Sequence, residues 1–383
     1  MTRLTLLKAI RRAEPVARTQ LVEMTGLAAG TVSELTGRMV RKGLLLEEKA
    51  PVVTTGRARV ELRLNPDAAY VVGALLVPRG TLEIVIANLR GEVIFSRSPE
   101  VLFSGLDTLA ARLADIIGLA IDESPLTKSE ITRIAIGLPA VVDNAHGTLL
   151  WLQTFPRGEI SIADVVEARL GVPTSIDNNA SIVARAEHWF GDGGPHDDFC
   201  LVMLGYGLGF AEYRNGLLWT TAGGLNPELG HTKIVHEAGR PCPCGATGCL
   251  ATYCTIYAIV AEICACRNVA PPPFLDVQDA YAAAVADACN GEPVPSAAFA
   301  CAGSMLGLAM ANYVNVSDPK RMIIMCMREG LIELVAPAFH RAFEANVLPV
   351  LAGRAQVEFR LASEERFAKG SAALALEDLY RVK

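Results

Sequence analysis

A histidine and three cysteines fall within nineteen positions, at His231, Cys242, Cys244 and Cys249, and any fold of this chain must either draw them together or leave loose thiols. One imidazole and three thiolates complete a tetrahedral donor set for zinc, with no position left for a catalytic water. The spacing therefore predicts a closed, structural Zn2+ site that braces a loop, with a reduced thiol cluster as the alternative. Gly245 and Gly248 supply the tight backbone that such a knuckle needs. The other seven cysteines, Cys200, Cys254, Cys264, Cys266, Cys289, Cys301 and Cys326, sit in apolar stretches and read as core thiols.

Charge divides the chain of 383 residues unevenly around its net value of −6. Residues 1–65 hold twelve Lys or Arg against six Asp or Glu, a balance of +6, whereas the remainder holds 23 against 35, a balance of −12. A short basic head on a large acidic body confines any nucleic-acid partner to the head. Lys8, Arg11 and Arg12 interrupt the one apolar stretch that could act as a secretion signal, so the expected location is cytoplasmic and the thiols are expected to stay reduced. Pro293–Ser317 carries no charge and is long enough to span a bilayer. Ser296, Gly303, Ser304, Gly307, Asn312 and Asn315 interrupt it, so it is expected to be a buried helix, and no membrane partner is expected.

In the head, Leu4, Leu7, Ala9 and Ile10 recur at helical spacing and predict a helix ending near Ala13. A second helix follows, with Thr19 as its cap and Gly26 as the turn residue. A third helix starts near Ala29, buries Val32, Leu35, Met39 and Val40, and turns Gly30, Thr31, Ser33, Glu34, Thr36, Gly37 and Arg38 outward. Between Thr55 and Leu64 apolar and polar residues alternate as in a two-stranded wing, with Arg57 and Arg59 near its tip. This pattern predicts a winged helix-turn-helix over residues 1–65 that lays its third helix in the major groove of double-stranded operator DNA. Thr31, Ser33 and Arg38 are the candidate base contacts, and Arg57 and Arg59 the candidate phosphate or minor-groove contacts.

Beyond residue 65 the pattern becomes a mixed one. Strand-like runs at Tyr70–Val77, Leu82–Leu89 and Gly91–Phe95 precede a helical stretch Leu106–Ile121, a strand Ile131–Leu138, a helix Ile162–Leu170 and a strand Pro173–Ile176, which indicates an α/β body. Within it stand Gly137-Leu-Pro139, Asp177-Asn-Asn-Ala180, Gly205-Tyr-Gly-Leu-Gly209, Pro227-Glu-Leu-Gly-His231 and Cys242-Pro-Cys-Gly-Ala-Thr-Gly-Cys249-Leu250. With these motifs the chain resembles the ROK family of repressors, open reading frames and sugar kinases. Its winged head matches the family's xylose-, N-acetylglucosamine- and glucose-responsive repressors rather than its free-standing kinases. The resemblance implies a two-lobed actin-like, ribonuclease-H-like sugar-kinase fold. One lobe would span residues 66–185, completed by a C-terminal helix 364–383, and the other residues 186–363 with the zinc loop 231–249.

The same resemblance implies lost catalysis. The family's kinases carry a glycine-rich phosphate loop where this chain has Leu75-Leu-Val-Pro-Arg-Gly-Thr81, and a late Gly-Gly where it has Met322-Ile-Ile-Met-Cys-Met327. Their general base is an Asp where Asn179 stands, and an amide cannot accept that proton. Asn178, Glu228 and His231 stand where the family's sugar ligands stand, Asn179 lies beside them, and Ala251 replaces a family Glu. The expectation is a homodimeric or homotetrameric, non-enzymatic regulator of carbohydrate genes, controlled by a sugar or sugar-derivative effector held by Asn178, Asn179, Glu228 and His231. The alternative is an ATP-dependent sugar kinase with a DNA-binding head.

Overall fold

Three helices and a small antiparallel sheet open the computed structural model, which describes residues 2–49, 60–78, 80–153, 155, 158–191 and 197–381. Helix α1 (Thr2–Ala13) buries Leu4, Leu6, Leu7, Ala9 and Ile10. Strand β1 (Val16–Ala17) leads into α2 (Arg18–Thr25), Gly26 turns the chain at φ +66°, and α3 (Ala29–Arg41) follows. Strands β2 (Leu45–Lys49) and β3 (Val60–Leu64) pair antiparallel, Leu45 opposite Leu64, and β1 joins on the far side of β3.

Two expectations for this region change. The cap of α2 is Ala17 rather than Thr19, because β1 pairing holds Ala17 extended and the Gln20 side chain accepts its N–H at 3.0 Å. Thr36 is fully buried rather than outward: its hydroxyl donates to the Val32 carbonyl at 2.7 Å and accepts from Arg18 Nε at 2.9 Å. Both groups of that hydroxyl are satisfied, so it costs little inside. The strand read from Thr55 is described from Val60, and Arg57 and Arg59 lie outside the described residues.

The body repeats one strand order. Strands β4 (Tyr70–Leu76), β5 (Leu82–Asn88) and β6 (Val93–Arg97) form a meander, followed by α4 (Leu106–Glu123) and β7 (Ile131–Leu138). A side sheet of β8 (Val141–Asp143), β9 (Thr148–Trp151) and β10 (Ile160–Ser161) precedes α5 (Ile162–Leu170), β11 (Thr174–Asn178) and α6 (Asn179–Phe190). The second half holds β12 (Phe199–Leu204), β13 (Leu208–Arg214), β14 (Leu217–Leu218), α7 (Ala251–Cys254), α8 (Ile256–Cys266), α9 (Gln278–Cys289) and α10 (Pro293–Ser317). It continues with β15 (Arg321–Cys326), α11 (Leu331–Asn346) and β16 (Gln356–Leu361), and α12 (Glu364–Arg381) ends the described chain. The two five-stranded sheets run β6-β5-β4-β7-β11 and β14-β13-β12-β15-β16. In each, the first three strands are antiparallel and the last two add in parallel.

Alternation along these strands sorts side chains to two faces. Val72, Ala74, Ile84, Ile86, Ile134 and Ile136 pack with α4 and α5. Cys200, Val202, Leu204, Met322 and Ile324 pack with α7 to α11. The opposite faces, with Val71, Val85 and Ala135 from one sheet and Leu201, Tyr213 and Ile323 from the other, share a single buried cluster with α6 and α12. Leu6, Leu7, Ile10 and Val32 of the head belong to that same cluster, so the apolar core runs unbroken from head to body.

Helix α12 fits there because its middle is small. A Cβ on Gly370 would lie 2.1 Å from the Ile182 carbonyl oxygen of α6, and one on Gly73 of β4 would lie 2.3 Å from the Ala372 nitrogen. Helix α10 uses the same device, since Gly303 and Gly307 lie against the Val335 and Phe339 carbonyls of α11. Among the described residues α10 alone is long and apolar enough to cross a membrane, and 56% of its most apolar window is buried inside the protein. The cysteines divide: Cys200, Cys254 and Cys326 are buried as expected of core thiols, Cys264 and Cys301 are half-buried, and Cys266 and Cys289 are exposed near helix ends. Apolar sequence neighbours do not bury a residue whose side of the helix faces solvent.

Gly370→Ala is expected to lower stability by about 3 kcal/mol, since neither backbone can withdraw without moving a helix. Gly30→Ala, with open space at a helical site, is expected to raise it by about 0.5–1 kcal/mol. Urea unfolding of both variants checks the contrast.

Candidate functional sites

On the head, α3 buries Val32, Thr36 and Met39 and leaves Thr31, Ser33, Glu34 and Arg38 exposed. Arg38 pairs with Glu34 one turn earlier at 2.8 Å, an exposed contact that water and salt weaken. A groove of about 530 Å³ runs beside this helix, lined by Arg3, Thr31, Arg38 and Lys42 and closed by Arg381 at the end of α12. The head's helix and the last helix of the body therefore meet at one cationic surface.

The four donor atoms of His231, Cys242, Cys244 and Cys249 lie within 4.8 Å of one another. Cys244 Sγ is 3.7 Å from Cys249 Sγ, and His231 Nδ1 is 3.6 Å from Cys242 Sγ. Zinc–sulfur bonds of about 2.3 Å and zinc–nitrogen bonds of about 2.0 Å give tetrahedral edges of about 3.8 and 3.6 Å, so the donor set fits that ion in size as well as type. The knuckle is drawn tight by Cys242 N donating to the Ala246 carbonyl at 2.8 Å and Gly248 N to the Arg240 carbonyl at 2.9 Å. Gly248 has φ +74° and a Cβ there would stand 2.0 Å from the Val235 carbonyl oxygen, so no other residue fits.

Sequence reading missed the groups that buttress this knuckle. Lys233 Nζ lies 2.7 Å from Cys249 Sγ, and its cation would offset the net negative charge of three thiolates around a dication. Arg240 stacks on Tyr253 at 4.6 Å, donates to the Thr252 carbonyl at 3.1 Å and pairs with Glu262. Trp151, at the end of β9, sets its ring 5.6 Å from that of His231, joining the side sheet to the knuckle. The position of Lys233, two residues past the histidine, is a signal that could have been read; the other two arise only from folding.

Around the start of α6 the expected effector residues take different roles. Asn178 caps the helix, its Oδ1 accepting Ala180 N at 2.8 Å while its Nδ2 donates to the Ala140 carbonyl at 2.8 Å. Asn179 is buried, and its Nδ2 donates to the Leu76 carbonyl at 2.9 Å. Its Oδ1 is buried and has no partner among the described residues. Glu228 and His231 lie together, with His231 N donating to the Glu228 carbonyl at 3.0 Å, and burial pushes the Glu228 carboxyl up to about 7. In the β4–β5 hairpin, Val77 N donates to the Thr81 carbonyl and Gly80 N to the Val77 carbonyl, at 2.9 and 3.0 Å. Those two amides close the turn and do not face an anion.

Comparison with known proteins follows the same lines. Residues 85–377 match the ROK family. A xylose repressor of Caldicellulosiruptor bescii is 27% identical over 338 residues, covering 85% of this chain and 82% of that protein. The solved structure of a ROK family transcriptional regulator, a homologue of the E. coli MLC protein, aligns with a TM-score of 0.80 at 23% identity, covering 98% of this chain and 96% of its own. A ROK family glucokinase from Streptomyces griseus, solved with glucose and AMPPNP, aligns with a TM-score of 0.66 at 22% identity, covering 80% of this chain and 99% of its own.

Asn179→Asp is expected to destabilise the fold by about 1–3 kcal/mol, because an oxygen replaces the N–H that meets the Leu76 carbonyl. A buried carboxylate lacking donors has its pKa raised above the unfolded value of about 3.9, so the deficit should be small near pH 4 and should widen as pH rises. Unfolding midpoints of variant and wild type between pH 4 and 8 test the sign.

Proposed function

The chain belongs to the ROK family, and from that premise we propose that it is a cytoplasmic DNA-binding transcriptional regulator of carbohydrate genes, controlled by a sugar or sugar derivative and without kinase activity. The observation that carries this reading is the exposed face of α3, where Thr31, Ser33 and Arg38 stand clear of the core on a basic three-helix head. In a winged helix-turn-helix of residues 1–65, that face enters the major groove, and the β2–β3 hairpin, with Arg57 and Arg59 in its connection, reaches phosphate or the minor groove. One relative is named a xylose repressor, which favours a sugar for the effector and repression for the output.

The body supports binding rather than turnover. Lobes 66–185 with 364–383, and 186–363, are taken as the two halves around the effector cleft. Glu228 keeps a carboxyl that can accept hydroxyl hydrogen bonds, and the Asn179 oxygen has no donor among the described residues. Asn178, with both side-chain groups engaged, serves as the helix cap beneath the cleft instead of a primary ligand. An amide at position 179 leaves a substrate hydroxyl without a proton acceptor, so phosphoryl transfer fails at its first requirement. Zn2+ held by His231, Cys242, Cys244 and Cys249 would fix the loop that carries Glu228.

A homodimer presenting two heads would match half-sites about 34 Å apart on a two-fold operator, and a homotetramer would present two such pairs. Selection of bound fragments from the source genome tests the reading directly, and their absence overturns it. ATP with a panel of hexoses should yield no phosphorylated sugar; turnover would favour the kinase alternative, which the glucokinase likeness keeps in view.

Two outcomes follow for variants. Arg57→Ala with Arg59→Ala should make the slope of log K against log salt less steep by about 0.9 for each phosphate contact removed. Cys244→Ser should lose the single zinc per chain measured by elemental analysis and lower the melting temperature; full zinc content in that variant would refute the four-ligand assignment.

A further inference from the structure

Five buried or nearly buried side chains from five separate parts of the chain form one continuous polar thread. Asn226, two residues before Glu228, donates its Nδ2 to Asp177 Oδ1 at 2.8 Å. Asp177, at the end of β11, accepts Arg185 Nη2 of α6 on its other oxygen at 2.8 Å. Arg185 Nη1 donates to Glu377 Oε2 of α12 at 2.6 Å. Glu377 Oε1 accepts Lys8 Nζ of α1 at 2.7 Å, together with Trp189 Nε1 at 2.9 Å. The side chains of Asp177, Glu377 and Arg185 are 0, 3 and 8% exposed, and Lys8, at the head end, is 16% exposed.

A thread of this kind is a poor way to gain stability. Burying ions costs desolvation that their attraction roughly returns, and apolar side chains of similar volume serve a core at least as well. What charged links add is register: each donor is aimed at one oxygen, so two arrangements of the thread are discrete rather than continuous. Removing a link at one end takes a donor from the next charge, and the donors that remain, Asn178 N on Asp177 and Trp189 Nε1 on Glu377, must shift to make up for it. Both ends sit where such a shift matters. Asn226 lies on the loop that leads into Glu228 and His231, and its Oδ1, buried and without a partner among the described residues, is an acceptor whose hydrogen bond is unmet. Lys8 lies on α1, which packs in the same buried cluster as Val32 of α3. Arg11, one turn further on, stacks on Trp189 at 4.7 Å and donates to its carbonyl at 3.2 Å, so α1 cannot move without that end of α6.

We infer that the Asn226–Asp177–Arg185–Glu377–Lys8 thread is the coupling element between the effector cleft and the DNA-binding helices, with a hydroxyl donor at Asn226 Oδ1 as its input and the seating of α1 as its output. Coupling of the loop to α1 stands on the geometry alone; its regulatory meaning rests on the proposed DNA-binding function. Asn226 is thereby a ligand-sensing residue outside the set formed by Asn178, Asn179, Glu228 and His231.

The experiment is a double-mutant cycle in the full chain with Asn226→Ala and Lys8→Met, both at thread ends where neighbouring donors remain and folding is preserved. Amide hydrogen exchange of residues 2–13 is the first reading and affinity for duplex fragments retained by the wild type the second. Asn226→Ala should change α1 exchange and duplex affinity by about five-fold or more, the usual lower range for coupled sites, and the change should vanish in the Lys8→Met background. Glu377→Gln, which keeps the shape and removes the charge, should behave like Lys8→Met. Equal effects of Asn226→Ala with and without Lys8, or no effect on α1 exchange, would overturn the proposal. Wild-type protein that retains no duplex would refute the DNA-binding function, while the exchange cycle still judges the thread.

Discussion

Glu377 is a carboxylate removed from water and surrounded by three donors from three directions, and the arrangement of the molecule depends on its staying there. Burial pushes its carboxyl up, and Arg185 and Lys8 outweigh burial and hold it down at about 2, so it remains ionised across the physiological range. Its helix, α12, lies against both α6 and β4 at distances that glycine alone permits, and Tyr380, next to last in that helix, donates to the Leu89 carbonyl at 2.8 Å. The last segment of the chain thus joins head, first sheet and second sheet. Without it the inner faces of both sheets would lose the surface they share.

That central position holds together a fold that the chain shares with solved ROK regulators and ROK kinases alike. The two repeated sheets are a frame, and function is set by the side chains placed on it. At the start of α6 the Asn179 amide meets the Leu76 carbonyl, and the amides of the neighbouring hairpin close their own turn.

The cysteine knuckle supplies rigidity to a loop that has little core of its own. Its hydrogen bonds, its forced glycine and its Arg240–Tyr253 buttress tie the stretch from Thr232 to Cys242 to the chain around Gly248 and Leu250. A fixed loop turns a small ligand contact into a displacement of one defined side chain, which a flexible loop would absorb.

Much of this was legible in the sequence because it is local. Helical and strand periodicity placed α3, α4, α5 and β7 within a few residues, and the metal-ligand spacing of one short run brought together four donors whose geometry folding then satisfied. What the sequence left open depends on residues far apart along it. Thr36 reads as polar and outward until Arg18 meets it, Asn178 as a ligand until Ala140 and Ala180 occupy it, and Lys8 as one more basic residue until Glu377, 369 positions away, receives it. Periodicity fixes which way a side chain points on its own element; only the packing of elements decides which partner stands there.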